Sequence, residues 1–275
     1  MGRYYKDPIE VCRPVQNWYY VVVKKNLSFN SLGGYGRLGN QMFQYAAVYS
    51  AAKTLGMSPT ANLSSSTIKD CFVLGGVEDK VVQPDAIYKE SDFAYDGIFK
   101  TVPNDMNIDV VGYFQSEKNF LEHKTQIREQ FEFKDEVRES ALQKLPDGVL
   151  VSVHVRRGDY VQLSETHTNQ GEKYYKEAIE RFKDHRPVVF SDDIEWCKNE
   201  MEWLDNDPVF MDNDQYTDLC LMSNCNTHII ANSSFSWWAA WLSGGQTVAP
   251  KNWFGSRGPS EWNDIYCEGW ETLGD

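Results

Sequence analysis

The sequence predicts an α/β protein built on parallel sheet and divided near residue 148. Three observations carry that expectation. After Gly148, short apolar runs alternate repeatedly with amphipathic stretches, strand then helix. Near the start, a strand-like run, a glycine-rich loop and an alanine-rich stretch follow one another. Between them stands Pro146-Asp147-Gly148, a strong turn signal and the expected domain boundary.

In chain order, Trp18 to Val23 and Leu27 to Leu32 read as two short strands. The loop Gly33 to Gln41 follows, and Met42 to Leu55 reads as a helix with Phe43, Ala46, Ala47 and Ser50 on one stripe. Residues 58–107 are mixed and give no clear elements. Ile108 to Phe114 is strand-like, and Glu117 to Lys144 reads as one or two helices with Phe120, Ile127, Phe131 and Val137 inward. Beyond the boundary, strands are expected at 149–155, 187–190, 208–211, 227–231 and 246–249, with helices at 172–183, 193–203, 215–224 and 235–243. The run from Val149 to Val155 is almost wholly apolar or β-branched, as in a strand covered on both faces.

Composition narrows the function. The 275 residues are 41% hydrophobic and 24% charged, ordinary for a globular protein with a full core. A net charge of −13 repels nucleic acid and anionic membrane, so no nucleic-acid partner is expected. An anionic ligand would need a local cation cluster, for which Arg37, Arg156, Arg157, Lys251 and Arg257 are the candidates. No apolar run approaches the roughly 18 residues of a membrane span. Six scattered cysteines without a Cys-x-x-Cys pair suit free thiols, and no secretory leader is evident, so a cytoplasmic location is expected.

The chemistry concentrates where predicted strands end. His154-Val-Arg156-Arg157-Gly158-Asp159 closes the strand after the boundary, Ser191-Asp192-Asp193 the next, and Asn232-Ser233-Ser234-Phe235 the fourth. Ligands of parallel sheets bind beyond such carboxyl ends. Each group also has a plain role, since Asp192 or Asp193, and Ser233 or Ser234, could simply cap the next helix. Together they suit a purine diphosphate. Arg156 offers a planar fork to the pyrophosphate, the helix opening at Ser233 and Ser234 favours phosphate, and the Asp192 carboxylate can accept from guanine but finds no match in adenine. Trp237, Trp238 and Trp241 read as core, with room for one sugar-facing ring. Gly34-x-Gly36-x-x-Gly39 matches the dinucleotide fingerprint and keeps an oxidoreductase in view. However, no Asp or Glu lies between Asn40 and Lys69 to hold the ribose.

These segments together resemble the α-1,2-fucosyltransferases of glycosyltransferase family 11, within the wider group of α-1,2, α-1,6 and protein O-fucosyltransferases. The matching stretches run from Gly36 to Ala46, Gly112 to Lys118, His154 to Tyr160, Phe190 to Asp193, Asn232 to Trp238 and Asp264 to Tyr266. The resemblance implies a fold of the glycosyltransferase B type, two Rossmann-like domains facing a cleft. Residues 1–148 would form the acceptor-side domain and 149–275 the donor domain. It implies GDP-fucose as donor, a galactose-terminated glycan as acceptor and no obligatory metal. By that pattern Arg156 holds the pyrophosphate and His154 and Asp192 the guanosine, while Gly39, Asn232, Ser233, Ser234 and Phe235 line the donor pocket and Asn40 sits near the acceptor hydroxyl. Asn119 and Cys267 depart from the family pattern, as does the long loop Gly33 to Arg37.

The expected reaction is inverting transfer of L-fucose to a galactose 2-hydroxyl. Asp159 is the nearest acid in sequence for a base, or else it holds Arg156 or the turn. A non-catalytic glycan- or nucleotide-binding module is the rival from another class. Asp205-Asn-Asp207 and Asp212-Asn-Asp214 would suit a metal-dependent transferase or, more plainly, surface turns.

Overall fold

The computed structural model describes residues 24–274. The expected strand at Trp18 to Val23 lies outside them. The first unit runs β1 (Asn26–Phe29), α1 (Leu38–Leu55), β2 (Ser58–Ala61), α2 (Ile68–Cys71), β3 (Glu78–Asp79), β4 (Ala86–Lys89) and β5 (Ile108–Val111). Its five strands pair in the order β3-β2-β1-β5-β4, all parallel. The connecting region contains α3 (Lys124–Gln130) and α4 (Asp135–Leu142), preceded by two short 3-10 turns. Phe120, Ile127, Phe131 and Val137 are buried there, as the sequence suggested.

The second unit runs β6 (Leu150–Val155), α5 (Glu172–Ile179), β7 (Arg186–Ser191), α6 (Ile194–Glu200), β8 (Val209–Met211), α7 (Gln215–Ser223), β9 (Thr227–Ile229), α8 (Ser234–Ser243), β10 (Gln246–Pro250) and β11 (Glu271–Leu273). The six strands pair in the order β11-β10-β9-β6-β7-β8, again all parallel. The order reverses between β6 and β9, the kind of switch point where a crevice opens. Register makes the crevice specific. Val153 pairs with Ile229, so continuing both strands by the same three steps brings Arg156 level with Asn232. The first sheet reverses in the same way between β1 and β5.

Residues of β6 face alternate ways, which explains its near-unbroken apolar run. Val151, Val153 and Val155 enter a core with Tyr174, Tyr175 and Phe182, while Leu150 joins the main core on the other face. Ser152 and His154, on that second face, are buried through bonds to His228 and Ser236. The main core is shared by the two units. Helix α1 is rich in alanine and buried almost all round, so it packs as an interior helix, and Gly56 at φ 70° ends it. Phe43 meets Trp237 at 4.4 Å and Trp238 at 4.9 Å between ring centres. Trp237, Trp238 and Trp241 are all buried at this α1–α8 seam, so none of the three is free to face a sugar. Burial of each such ring stabilises the fold by roughly 1.5–3 kcal/mol or more.

Several expected boundaries move. The strand at Leu27 to Leu32 stops at Phe29, and α1 begins at Leu38 rather than Met42 because the glycine loop is shorter than its glycines suggest. Strands β2, β3, β4 and β11 were not legible. β2 contains Pro59, β3 has two residues, and β4 is a half-exposed edge strand, each defeating the usual pattern. Among the described residues, no helix is long and apolar enough to cross a membrane.

Candidate active site

The carboxyl ends of both sheets face one cleft of about 870 Å³. Its walls come from the segments after β1, β4 and β5 on one side and after β6, β7, β8, β9 and β10 on the other. The ten residues given catalytic or donor-pocket roles from the sequence all lie at this place: Gly39, Asn40, His154, Arg156, Asp159, Asp192, Asn232, Ser233, Ser234 and Phe235 line it.

The amino ends of α1 and α8 meet here. The Ser234 hydroxyl donates to the Asn40 side-chain oxygen at 2.6 Å, and the Gln115 amide donates to the same oxygen at 2.7 Å. The Trp238 indole donates to the Gly39 carbonyl at 3.0 Å. A Cβ on Gly39 would stand 2.6 Å from the Ser234 carbonyl carbon and 2.7 Å from the Phe235 nitrogen. The third glycine of the fingerprint-like loop therefore serves helix-to-helix approach, and the loop's resemblance to a dinucleotide site ends there. Ser233 caps α8, its hydroxyl accepting from the Phe235 amide at 3.4 Å.

Arg156 is held by a carboxylate on each side. It pairs with Asp192 at 2.7 Å and with Asp159, and its guanidinium lies 5.0 Å from the centre of the Tyr160 ring. Asp159 also takes Arg37 from the first unit at 3.5 Å. Asp159 is thus shared by two arginines, and of the roles open to it the geometry favours holding Arg156. Asp192 additionally accepts from the Arg157 backbone amide at 2.9 Å, so it fixes the turn after β6 as well as facing the cleft. Arg157 leaves on the other face of the strand. Its guanidinium lies 3.7 Å from the centre of the Trp196 ring and bonds Asp193, which caps α6. Of the five candidate cations, Arg37 and Arg156 reach the cleft; Arg157, Lys251 and Arg257 do not line it, and Arg257 pairs with Glu165 instead.

His154 bonds the Ser236 hydroxyl through Nδ1 at 2.9 Å, and burial, then the neighbouring Arg156 charge, pushes its pKa down to about 3. It is a neutral ring at the cleft. Asn232 is buried and spans to the segment after β10, donating to the Trp253 carbonyl at 2.8 Å and accepting from Tyr160 through its own carbonyl at 3.2 Å. The acidic triplets are turn and cap. Asn206 and Asp207 have positive φ, and Asp214 accepts from the Tyr216 and Thr217 amides at the start of α7.

Sequence reasoning missed three cleft residues. Asp218, with Asn213 donating to it at 3.0 Å, lines the end beyond β8, and burial pushes its pKa up to about 6. Glu90, at the end of β4, accepts from the Tyr113 and Phe114 amides at 2.6 and 2.9 Å. Tyr113 itself is 41% exposed and meets Tyr35 edge to face at 6.4 Å, so an aromatic corner stands on the first unit's side. Asp218 looked like an ordinary acid of a helix's first turn. Glu90 sat in a stretch without periodicity. Only Tyr113 carried a signal, within Gly112-Tyr-Phe-Gln.

Residues 79–274 match the family described as Glycosyl transferase family 11. An α-1,2-colitosyltransferase of Escherichia coli is 36% identical over 80% of this chain and 90% of its own length. Galactoside 2-α-L-fucosyltransferase SEC1 of Bos taurus is 30% identical over 78% of this chain and 64% of its own length. Among solved structures, fucosyltransferase NodZ from Bradyrhizobium aligns with a TM-score of 0.55 at 13% identity, covering 80% of this chain and 94% of that one. NodZ has also been solved soaked with GDP-fucose, aligning at a TM-score of 0.53.

Proposed function

The chain belongs to glycosyl transferase family 11, and we propose that it transfers L-fucose from GDP-β-L-fucose to the 2-hydroxyl of a terminal galactoside, inverting the anomeric carbon. The observation that carries this reading is the convergence of Arg156 and the amino end of α8 on one cleft, set by the β6–β9 register. The names of the relatives supply the sugar and the linkage; the cleft supplies the means.

We assign residues 149–275 to the donor and 1–148 to the acceptor. The pyrophosphate lies between Arg156 and the helix start at Ser233, Ser234 and Phe235. As the glycosidic bond breaks, negative charge gathers on the β-phosphate. A half-buried guanidinium, already held in place, and a helix amino end meet that charge without reorganising. No metal takes part in this scheme, and transfer in EDTA checks that point. Arg156 keeps Asp159 and Asp192 as its positioning partners and offers its remaining N–H donors to the phosphate. The guanosine extends past neutral His154 towards Asp192 and Asp218, whose carboxylates suit the paired donors of guanine. Asn40 stands between donor and acceptor and orients the hydroxyl, because an amide does not take a proton at neutral pH. Cys71, Cys197, Cys220, Cys225 and Cys267 are free thiols, which suits a reducing compartment and a cytoplasmic location.

Incubation with GDP-fucose and a panel of galactosides, read by mass-spectrometric linkage analysis, tests the reading. GDP-colitose belongs in the same panel because of the 36% identical relative. A 2-linked fucosyl product is expected. Binding of GDP without turnover on any acceptor would instead make the chain a nucleotide-binding module.

A further inference from the structure

Transfer to a sugar hydroxyl must dispose of a proton, and the cleft contains five carboxylates as candidates to take it: Glu90, Asp92, Asp159, Asp192 and Asp218. Asp159 and Asp192 are engaged with Arg156, and Asp218 lies at the far end beside Asn213. Asp92 is exposed and accepts from the Phe93 amide. Glu90 is half-buried, unlike Asp92, and it is on the first unit's wall, across the cleft from the arginine and helix end that hold the leaving group in the scheme above. Inversion requires the incoming hydroxyl to arrive from that opposite side.

We propose that Glu90 is the general base that takes the proton from the acceptor hydroxyl. The inference rests on the fucosyltransferase reading and deepens it. In the step, the acceptor oxygen forms its bond to the anomeric carbon as its proton passes to the Glu90 carboxylate. The carbon–oxygen bond to the β-phosphate breaks, and its electron pair leaves with GDP.

The geometry supports the assignment in two ways. The carboxylate is clamped, one oxygen on the Tyr113 amide at 2.6 Å and the other on the Phe114 amide at 2.9 Å, which leaves a lone pair on each oxygen for a proton. The clamped turn is unusual, since Phe114 is buried with φ 52°, a conformation that a phenylalanine seldom holds unaided. It also carries Tyr113, half of the aromatic corner, so a sugar laid on that ring would reach the carboxylate that anchors the ring's backbone. Proton affinity agrees with geometry. Burial raises the Glu90 pKa to about 7 despite the two amide bonds, and Asp96 and Asp92 on its own loop raise it further. Lys89 beside it, Arg37 on the α1 loop, and Arg156, Asp159, Asp192 and Asp218 across the cleft are the other charges lining the cleft. A base poised there is matched to neutral pH.

The test is the pH dependence of kcat/KM for the acceptor, measured on wild type, Glu90→Gln and Glu90→Ala. Wild-type kcat/KM should rise about tenfold per pH unit on the acid side and level off near pH 7. Glu90→Gln should lose about 100-fold or more and lose the break, while its Kd for GDP changes less than about twofold. Added formate should restore part of the rate to Glu90→Ala, which a purely structural role in the Tyr113–Phe114 turn would not allow. Transfer by wild type with a flat profile from pH 5.5 to 8.5, or a break kept by Glu90→Gln, would overturn the proposal alone. No transfer by wild type would overturn the fucosyltransferase reading beneath it. If Glu90→Gln fails to fold, the wild-type profile and formate rescue still decide.

Discussion

The two walls of the cleft are made by the same topology but carry opposite chemistry. Both are carboxyl ends of parallel sheets with a reversal of strand order. On the second unit's wall, Arg156 and the start of α8 present positive charge fixed by backbone register. On the first unit's wall, Glu90 and Tyr113 present a carboxylate and an aromatic face, with Tyr35 meeting Tyr113 edge to face, and loops after β1, β4 and β5 hold them. A nucleotide common to many enzymes can be met by features that strand and helix ends supply automatically. An acceptor glycan needs a surface particular to each enzyme, and loops supply it.

The sharpest test of this division is Arg156→Ala. It should lower kcat on the order of 100-fold or more, about 3 kcal/mol, with an unchanged circular dichroism spectrum. Wild-type-like turnover in the folded variant would break the comparison at its strongest point. Its neighbour gives the contrast, because Arg157→Ala should cost stability through lost packing on Trp196 while kcat per folded molecule stays near wild type. Next in size is Asp218→Asn, expected to raise Kd for GDP about tenfold by isothermal titration and to leave acceptor KM alone. Tyr113→Ala should do the reverse, raising acceptor KM roughly fivefold for about 1 kcal/mol of lost stacking, with GDP affinity intact. Both variants changing both affinities would show that the walls do not divide the substrates.

The smallest effect concerns acid stability. Burial pushes the pKa of His154 and His228, both in the second unit, down to about 3. The unfolded chain takes up protons below about pH 6.5 while these folded-state rings do not. Their contribution is therefore complete above that pH and shrinks towards pH 3, by at most about 1.4 kcal/mol per pH unit each. Glu90 and Asp218, with folded-state values near 7 and 6, pull the other way over part of that range. Urea melts at pH 7.5, 6 and 5 should accordingly show a shallow slope, and His228→Asn should make it shallower still or reverse it.

The second unit's wall was readable because its causes are local. The run Val149 to Val155 marks a buried strand, and Arg156 follows from where it ends. Three strand-end clusters then fall together once the sheet is parallel. Even the discrimination between Arg156 and Arg157 follows from alternation along the strand. The first unit's wall was not readable because its causes are long-range. Glu90 matters through amides 23 and 24 residues away. β4, which positions it, is an edge strand with exposed Ile87, so no apolar pattern announced it. The tryptophans mark the same limit in reverse: their spacing foretold burial, but nothing local said that Phe43, nearly two hundred residues earlier, would be their partner.

The seam between α1 and α8 has a mechanical consequence. Tryptophan rings, the indole bond to Gly39 and the Ser234–Asn40 bond lock the floor of the cleft, so the halves cannot swing apart there without exposing their shared core. Entry and exit of substrates must then be managed at the rim, where Phe93 meets Phe254 and Lys118 and the Tyr95 amide meet Asp264.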